Sequence, residues 1–276
     1  MHGSLRTLGF AILLLVLSTG EGWGQEPADS LRGEFLLPLP PTAEVMARGE
    51  RIGPGISIGS PTGFGARQGD AFVGVAYQAR TRTFTRQDGA AGAGLGFGDP
   101  ERWVGLEAVI TTFGTVRTCC RGGVSFKVHR RVSPGASVAL GWENALLWRD
   151  GDPPATDAGT SLYAAATKVF GLRGSGSPHF STLTLTVGAG NGRFRRERDI
   201  LEDRSAINPF GAASLRVVDR ASVLADWSGQ DLAAGVSIIP LSGRPLFVTP
   251  AVADLTTRPR FVVGAGYGFS YSGLLF

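Results

Sequence analysis

Few residues of this 276-residue chain could take part in catalysis, and the pair that most resembles a catalytic base and nucleophile is His179 and Ser181. Two positions apart on an extended strand, they would share one face, where an imidazole could act as the base for a serine hydroxyl. No asparagine or glutamate is evident where a supporting residue would be expected. The sequence therefore predicts a histidine in a turn and no catalytic residue, and an enzyme is only the second interpretation.

The other reactive groups give no stronger indication of chemistry. Cys119 and Cys120 are adjacent, and neighbouring cysteines could join only through a strained small ring. No His or Asp stands beside them, so we expect a loop feature, and neither a cofactor nor a metal site. The arginines of 193–198 alternate with acidic residues, which favours a solvated surface loop over a nucleic-acid contact.

The elements that would carry these residues are strands. In 261–271 the odd positions are apolar or aromatic and most even positions are glycine or serine, the pattern of a strand with one lipid-facing side. Similar alternation recurs in about eleven other stretches from residue 70 onward, each near the length of a transmembrane strand. With 41 glycines, the chain predicts an all-β fold: a single antiparallel transmembrane β-barrel of about 12 strands, with 14 as the alternative.

The N-terminal part has a different pattern. A basic start, an apolar core over 8–17 and small residues before 25 predict a signal peptide at 1–24; a retained anchor helix is disfavoured because the core is short for a span. The irregular stretch 25–69 predicts a periplasmic or lumen-associated leader. The barrel is expected over 70–271, with Tyr271 as its lipid-facing terminal aromatic residue and 272–276 as a C-terminal tail.

The charges collect on the strand phase opposite the apolar one, which would line the lumen. Two interpretations stay open: a basic wall that attracts anions, or a network of ion pairs that supports a narrow barrel and blocks it. The predicted lumen-lining charges are Arg80, Arg82, Glu107, Lys127, His129, Arg131, Glu143, Lys168, Arg216 and Asp226.

Several segments resemble a known group of proteins. The segments 96–100, 123–130, 188–194 and 225–232 and the final Gly-Tyr-Gly-Phe resemble an uncharacterised bacterial outer-membrane β-barrel family. More distantly, they are similar to barrels encoded beside exopolysaccharide-secretion genes, which share a strand pair joined through an acidic-aromatic-glycine turn. The resemblance covers most of 70–271 and implies an architecture, but it offers no catalytic motif.

These observations predict a cell outer-membrane protein that acts as a narrow pore or as an envelope-structural barrel, for anionic solutes or polysaccharide. Its expected partners are outer-membrane lipid and lipopolysaccharide, and the barrel-assembly machinery. The alternative is an outer-membrane lipid-modifying hydrolase, because His-x-Ser pairs similar to 179–181 occur in such enzymes.

Overall fold

The described part of the chain is a closed antiparallel barrel. The computed structural model describes residues 55–80, 87–114, 121–148, 159–172, 179–202, 204–241 and 246–270. The strands are β1 (Asp70–Gln78), β2 (Asp88–Gly98), β3 (Gly105–Gly114), β4 (Arg121–Ser133), β5 (Ala136–Trp148), β6 (Ser161–Gly171), β7 (Thr182–Gly190), β8 (Asn208–Val218), β9 (Ala221–Trp227), β10 (Leu232–Ile238), β11 (Leu246–Ala253) and β12 (Arg260–Ser270).

Each strand pairs with its neighbours in sequence, and β1 closes the ring by pairing with β12. Asp70 lies opposite Ser270 at this closure, and the amide of Ala79 donates to the carbonyl oxygen of Phe261 at 3.0 Å. The prediction of about twelve strands in an all-β barrel is confirmed, with the twelve-strand and not the fourteen-strand alternative present in the described residues. The first strand begins at Asp70, as expected.

The alternation of side chains gives the barrel an apolar outside. Exposed apolar residues recur along the strands, for example Leu106, Ile110 and Leu140, and most of the intervening buried positions are small or polar. Little helix is present among the described residues: a 3-10 turn (Gly192–Phe194) and α1 (Glu197–Leu201) lie between β7 and β8. No helix in the described ranges has the length and apolar character needed to cross a membrane.

The two ends of the barrel differ in their connections. One end, here the short-turn end, carries the two-residue turns 134–135 and 219–220. The opposite end, the long-loop end, carries the connections 149–160 and 191–207. Two connections depart from this contrast: 172–181 at the short-turn end is long, and 228–231 at the long-loop end is short. Short turns on one side and long loops on the other are typical of outer-membrane barrels, in which the short turns face the periplasm.

Residues 55–69 form no strand and run through the interior of the barrel; they are called the luminal segment below. The hydroxyl of Ser214 donates to the carbonyl oxygen of Gly55, and residues 58–60 reach Asp226 near the long-loop end. The segment then returns past Thr167 towards Asp70 at the short-turn end. The lumen is therefore occupied by a loop of the chain itself.

Candidate functional site

The luminal segment is anchored near the long-loop end by the carboxylate of Asp226 on β9. Oδ2 accepts hydrogen bonds from the backbone amides of Ile58, Gly59 and Ser60 at 2.7, 3.0 and 3.0 Å. Oδ1 accepts from the Ser60 hydroxyl at 2.6 Å. Successive amides that converge on one anion form a concave binding site, and a carboxylate is the strongest neutral-pH acceptor that a side chain offers. Asp226 thus satisfies four donors of the segment.

A second set of contacts holds the returning part of the segment in the short-turn half of the barrel. Glu107 Oε2 accepts from the amide of Ala66 at 2.8 Å, and His129 Nε2 lies 3.0 Å from the Ala66 carbonyl oxygen, to which it donates. Lys127 Nζ donates to the carbonyl oxygen of Phe64 at 3.4 Å and lies 3.6 Å from Glu107 Oε1. Wall and segment therefore share one buried polar network, in which Glu107, Lys127 and His129 each contact the backbone of the segment.

Backbone passes against backbone at two glycines in this network. A Cβ atom on Gly63 would overlap the carbonyl oxygen of Ser137 on β5, and one on Gly96 would overlap the backbone of Ala66 and Arg67. The amide of Gly63 donates to the hydroxyl of Thr167 at 2.8 Å. The luminal segment therefore fits only because glycine leaves no side chain at these contacts.

At the long-loop end, Arg193 and its neighbours contact the luminal segment and the barrel wall. The Arg193 guanidinium binds Glu143 through two bonds, Nε to Oε2 at 2.5 Å and Nη2 to Oε1 at 2.7 Å, and Nη2 also lies 3.0 Å from the Gly59 carbonyl oxygen. The fully buried ring of Phe194 stacks on Phe210 at 4.5 Å between centroids and meets Tyr163 edge-on. An ion pair and three aromatic rings thus lie on the long-loop side of residues 58–60, the apex of the luminal segment.

The acidic-aromatic-glycine turn between β9 and β10 connects these features. After Asp226, the Ser228 hydroxyl receives the amides of Gln230 and Asp231, and Gly229 adopts a φ of +92° that L side chains rarely take. Gln230 Nε2 donates to the Arg193 carbonyl oxygen at 2.6 Å. The turn therefore joins the anchor of the luminal segment to the loop that covers it.

Asp231 ties the same turn to the connection between β11 and β12. Its carboxylate accepts from the amide and hydroxyl of Thr256 at 2.9 and 2.6 Å, and from the Thr257 hydroxyl at 2.6 Å. Burial opposes ionisation of this group, but the hydrogen bonds from Thr256, Thr257 and Leu232 outweigh it and lower the pKa of Asp231 to about 2. Asp231 is therefore ionised at neutral pH and holds the two loops together.

Seven of the ten predicted lumen charges lie on inward-facing strand positions. Glu107, Lys127, His129, Glu143, Arg216 and Asp226 are almost fully buried, and Arg131 is partly buried. Arg131 Nη1 lies 3.4 Å from Glu101, and Arg216 Nη2 donates to the carbonyl oxygen of Asp219 at 2.6 Å. These two cations belong to the turns of the short-turn end, whereas the other five surround the luminal segment and its cap.

The remaining three predicted lumen charges lie elsewhere. Lys168 is on the outer face of β6, opposite Ala136 and Leu185, and its Nζ donates to the Pro134 carbonyl oxygen at 2.7 Å. Arg80 follows the end of β1 and donates to the carbonyl oxygens of Arg258 and Pro259. Arg82 lies outside the described residues, as do Tyr271 and the two cysteines.

The phase of β6 is therefore the reverse of the predicted one. With Lys168 predicted in the lumen, Tyr163 and Val169 would face the lipid; instead they point inward, because each has an apolar partner there. Tyr163 packs with Phe194 and Phe210, and Val169 packs with two residues of the luminal segment, Ile56 and Phe64. Both phases of β6 are apolar in sequence, so only the contents of the lumen decide between them.

The loop before β8 also differs from the expectation of a solvated basic cluster. Arg196 and Arg198 are exposed as expected, but Arg193 turns into the barrel towards Glu143. The 3-10 turn at Gly192–Phe194 directs both Arg193 and Phe194 inward, and the guanidinium carbon lies 4.2 Å above the Phe194 ring centroid. Sequence reasoning missed this cap, although Glu143 on the luminal phase indicated that a cation would be needed.

The candidate catalytic pair is not assembled in the structure. His179 is exposed, whereas the Ser181 hydroxyl is buried and receives no hydrogen bond from any described residue. Within the described ranges, no group of three His, Cys, Asp or Glu side chains is placed to hold a metal ion. The fold instead brings polar residues together around the luminal segment.

The fold and its lumen define the class: a closed, twelve-stranded antiparallel β-barrel whose interior is occupied by the preceding segment of the same chain. Comparison with known protein families and with curated proteins finds no match to the chain.

Proposed function

We propose that the protein is an outer-membrane channel that its own luminal segment holds closed, and that it conducts when this segment leaves the lumen. The observation that carries the proposal is the anchoring of residues 58–60 by Asp226 together with that of Ala66 by Glu107 and His129. The contacts are polar and made by wall residues, so the wall would stay wettable once the segment was gone.

The charges of the wall suggest what such a channel would select. In the short-turn half the wall carries three cations, Lys127, Arg131 and Arg216, against one carboxylate, Glu107. The wall carboxylates Glu143 and Asp226 lie near the long-loop end. A basic stretch of wall attracts anions. We therefore propose anionic solutes or an anionic polysaccharide chain as the permeating species, in line with the resemblance to barrels of exopolysaccharide secretion. Assembly machinery, outer-membrane lipid and lipopolysaccharide would be the partners of such a barrel.

The experiment compares single-channel conductance of the full chain and of a variant lacking residues 55–66 in planar bilayers. We expect almost no current from the full chain, and from the variant an ohmic current that prefers anions in a salt gradient. Heat-modifiable mobility in gels checks that the variant is folded. A folded variant without current, or equal currents from both proteins, would overturn the proposal.

A further inference from the structure

The outer surface of the barrel carries a groove that the function proposed above does not use. It has a volume of about 530 Å³ and lies over β4 to β7. Its floor is formed by Ala164, Ala166 and Ala189, whose small side chains leave space between the larger side chains on the neighbouring strands. Leu140 and Val187, both about two-thirds exposed, stand on either side. The groove is therefore an apolar trough that runs along β6.

Two cations lie at the end of this trough that is nearer the short turns. Lys168 follows Ala164 and Ala166 on the same face of β6, at the next outward position. Arg130 on β4 faces outward and lies opposite Val138, which in turn lies opposite Ala166. In the part of the chain that the structure describes, Arg130 has no carboxylate partner, and Lys168 Nζ binds only the Pro134 carbonyl oxygen.

Cations on an apolar outer face are costly at the bilayer midplane and favourable at the level of the headgroups. An arginine and a lysine next to an acyl-sized trough match the two parts of one ligand, an anionic headgroup and a hydrocarbon chain. We infer that the groove binds an anionic phospholipid of the leaflet at the short-turn end, with its phosphate between Arg130 and Lys168 and one acyl chain over Ala166 and Ala164. The inference rests on the outer-membrane location proposed above.

The test measures lipid retention by native mass spectrometry. The full chain in detergent micelles is offered phosphatidylglycerol or phosphatidylcholine at equal concentration. We expect phosphatidylglycerol to be retained about 25-fold better, roughly fivefold for each cation. The variant Arg130→Gln/Lys168→Gln should bring this ratio close to one, whereas Arg102→Gln, a basic residue on a turn of the same end, should leave it unchanged.

A second variant tests the groove itself. Ala166→Leu places a larger side chain on the floor and should lower the retention of both lipids without changing their ratio. A ratio near one for the unmodified chain, an unchanged ratio in the double variant, or undiminished retention in Ala166→Leu would overturn the inference. Because the assay needs no current, these results are independent of the conductance experiment, so failure of either proposal is recognised separately.

Discussion

Ser60 and Asp226 meet twice inside the barrel: the backbone amide of Ser60 donates to Oδ2 at 3.0 Å and its hydroxyl to Oδ1 at 2.6 Å. The two residues are 166 positions apart in sequence, and both are almost fully buried. This contact joins the apex of the luminal segment to the barrel wall.

Removing the anchor should release the apex of the luminal segment. Asp226→Ala deletes the acceptor of four hydrogen bonds, so we expect the bilayer conductance of the purified protein to rise well above that of the unmodified chain. Asp226→Asn keeps one carbonyl oxygen and should give an intermediate conductance. Glu197→Gln, at an exposed residue of α1, serves as the control and should stay closed. If Asp226→Ala stayed as closed as the control, Asp226 would not be an anchor.

The contact at Gly63 gives a steric test with a matched control in the same segment. Gly63→Ala places a Cβ against the Ser137 carbonyl and should displace the segment, whereas a Cβ on Gly59 meets no atom within 4 Å. We expect Gly63→Ala to raise the conductance and Gly59→Ala to leave it unchanged. Equal effects of the two substitutions would mean that the packing of the segment against β5 does not keep the lumen closed.

The buried pair of Glu107 and Lys127 should be sensitive to the loss of one partner. Glu107→Gln leaves the Lys127 ammonium buried without its counter-charge, which typically costs about 3–5 kcal/mol of unfolding free energy. Glu107→Gln/Lys127→Met should recover a large part of that loss, because no unpaired charge remains. The half-exposed Glu101 is the control: Glu101→Gln should cost less than about 1 kcal/mol. Urea unfolding in detergent measures the unfolding free energy of all three variants. Similar losses for Glu107→Gln and Glu101→Gln would contradict the claim that Glu107 and Lys127 form a buried ion pair.

The hydrogen bonds that Asp231 accepts from Thr256 and Thr257 predict that the local stability of the two loops depends on pH. The pKa of Asp231 is lowered from 3.8 to about 2 in the folded protein, so its ionisation stabilises the fold above pH 4. This contribution should disappear as the pH falls from about 4 to about 2. Hydrogen exchange at the amides of Leu232 and Thr256 measures it. In Asp231→Asn these amides should exchange faster at neutral pH, and their protection should no longer fall between about pH 4 and pH 2. If the fall in protection were unchanged in that variant, another group would be responsible for it.

The strand pattern could be predicted from sequence wherever one phase is clearly apolar. β3 and β7 are examples, because Glu107 or the threonines of 182–186 mark the inner side. The phase of β6 could not be predicted, because its inward Tyr163 and Val169 are apolar and find their partners on distant segments. A pattern along one strand contains no information about what fills the lumen.

The same reason limits what could be predicted about the site. The inward position of Asp226 follows from alternation, but its ligands lie 166 to 168 residues away in a segment without strand periodicity. That segment could be assigned only to the periplasm or the lumen. Its glycines and small side chains were the available indication, since a chain that passes close to a barrel wall needs such residues at its contacts.

The most direct test of a closed lumen is a reversible cross-link between residues 60 and 226. In a background with Cys119→Ala and Cys120→Ala, the variant Ser60→Cys/Asp226→Cys is oxidised, reconstituted in planar bilayers and then reduced during recording. We predict almost no conductance while the disulfide holds the luminal segment in place. After reduction, when neither the disulfide nor the Asp226 anchor remains, we predict a stepwise rise to the level of the variant lacking residues 55–66. Equal conductance before and after reduction, with the cross-link verified by mass spectrometry, would contradict the account.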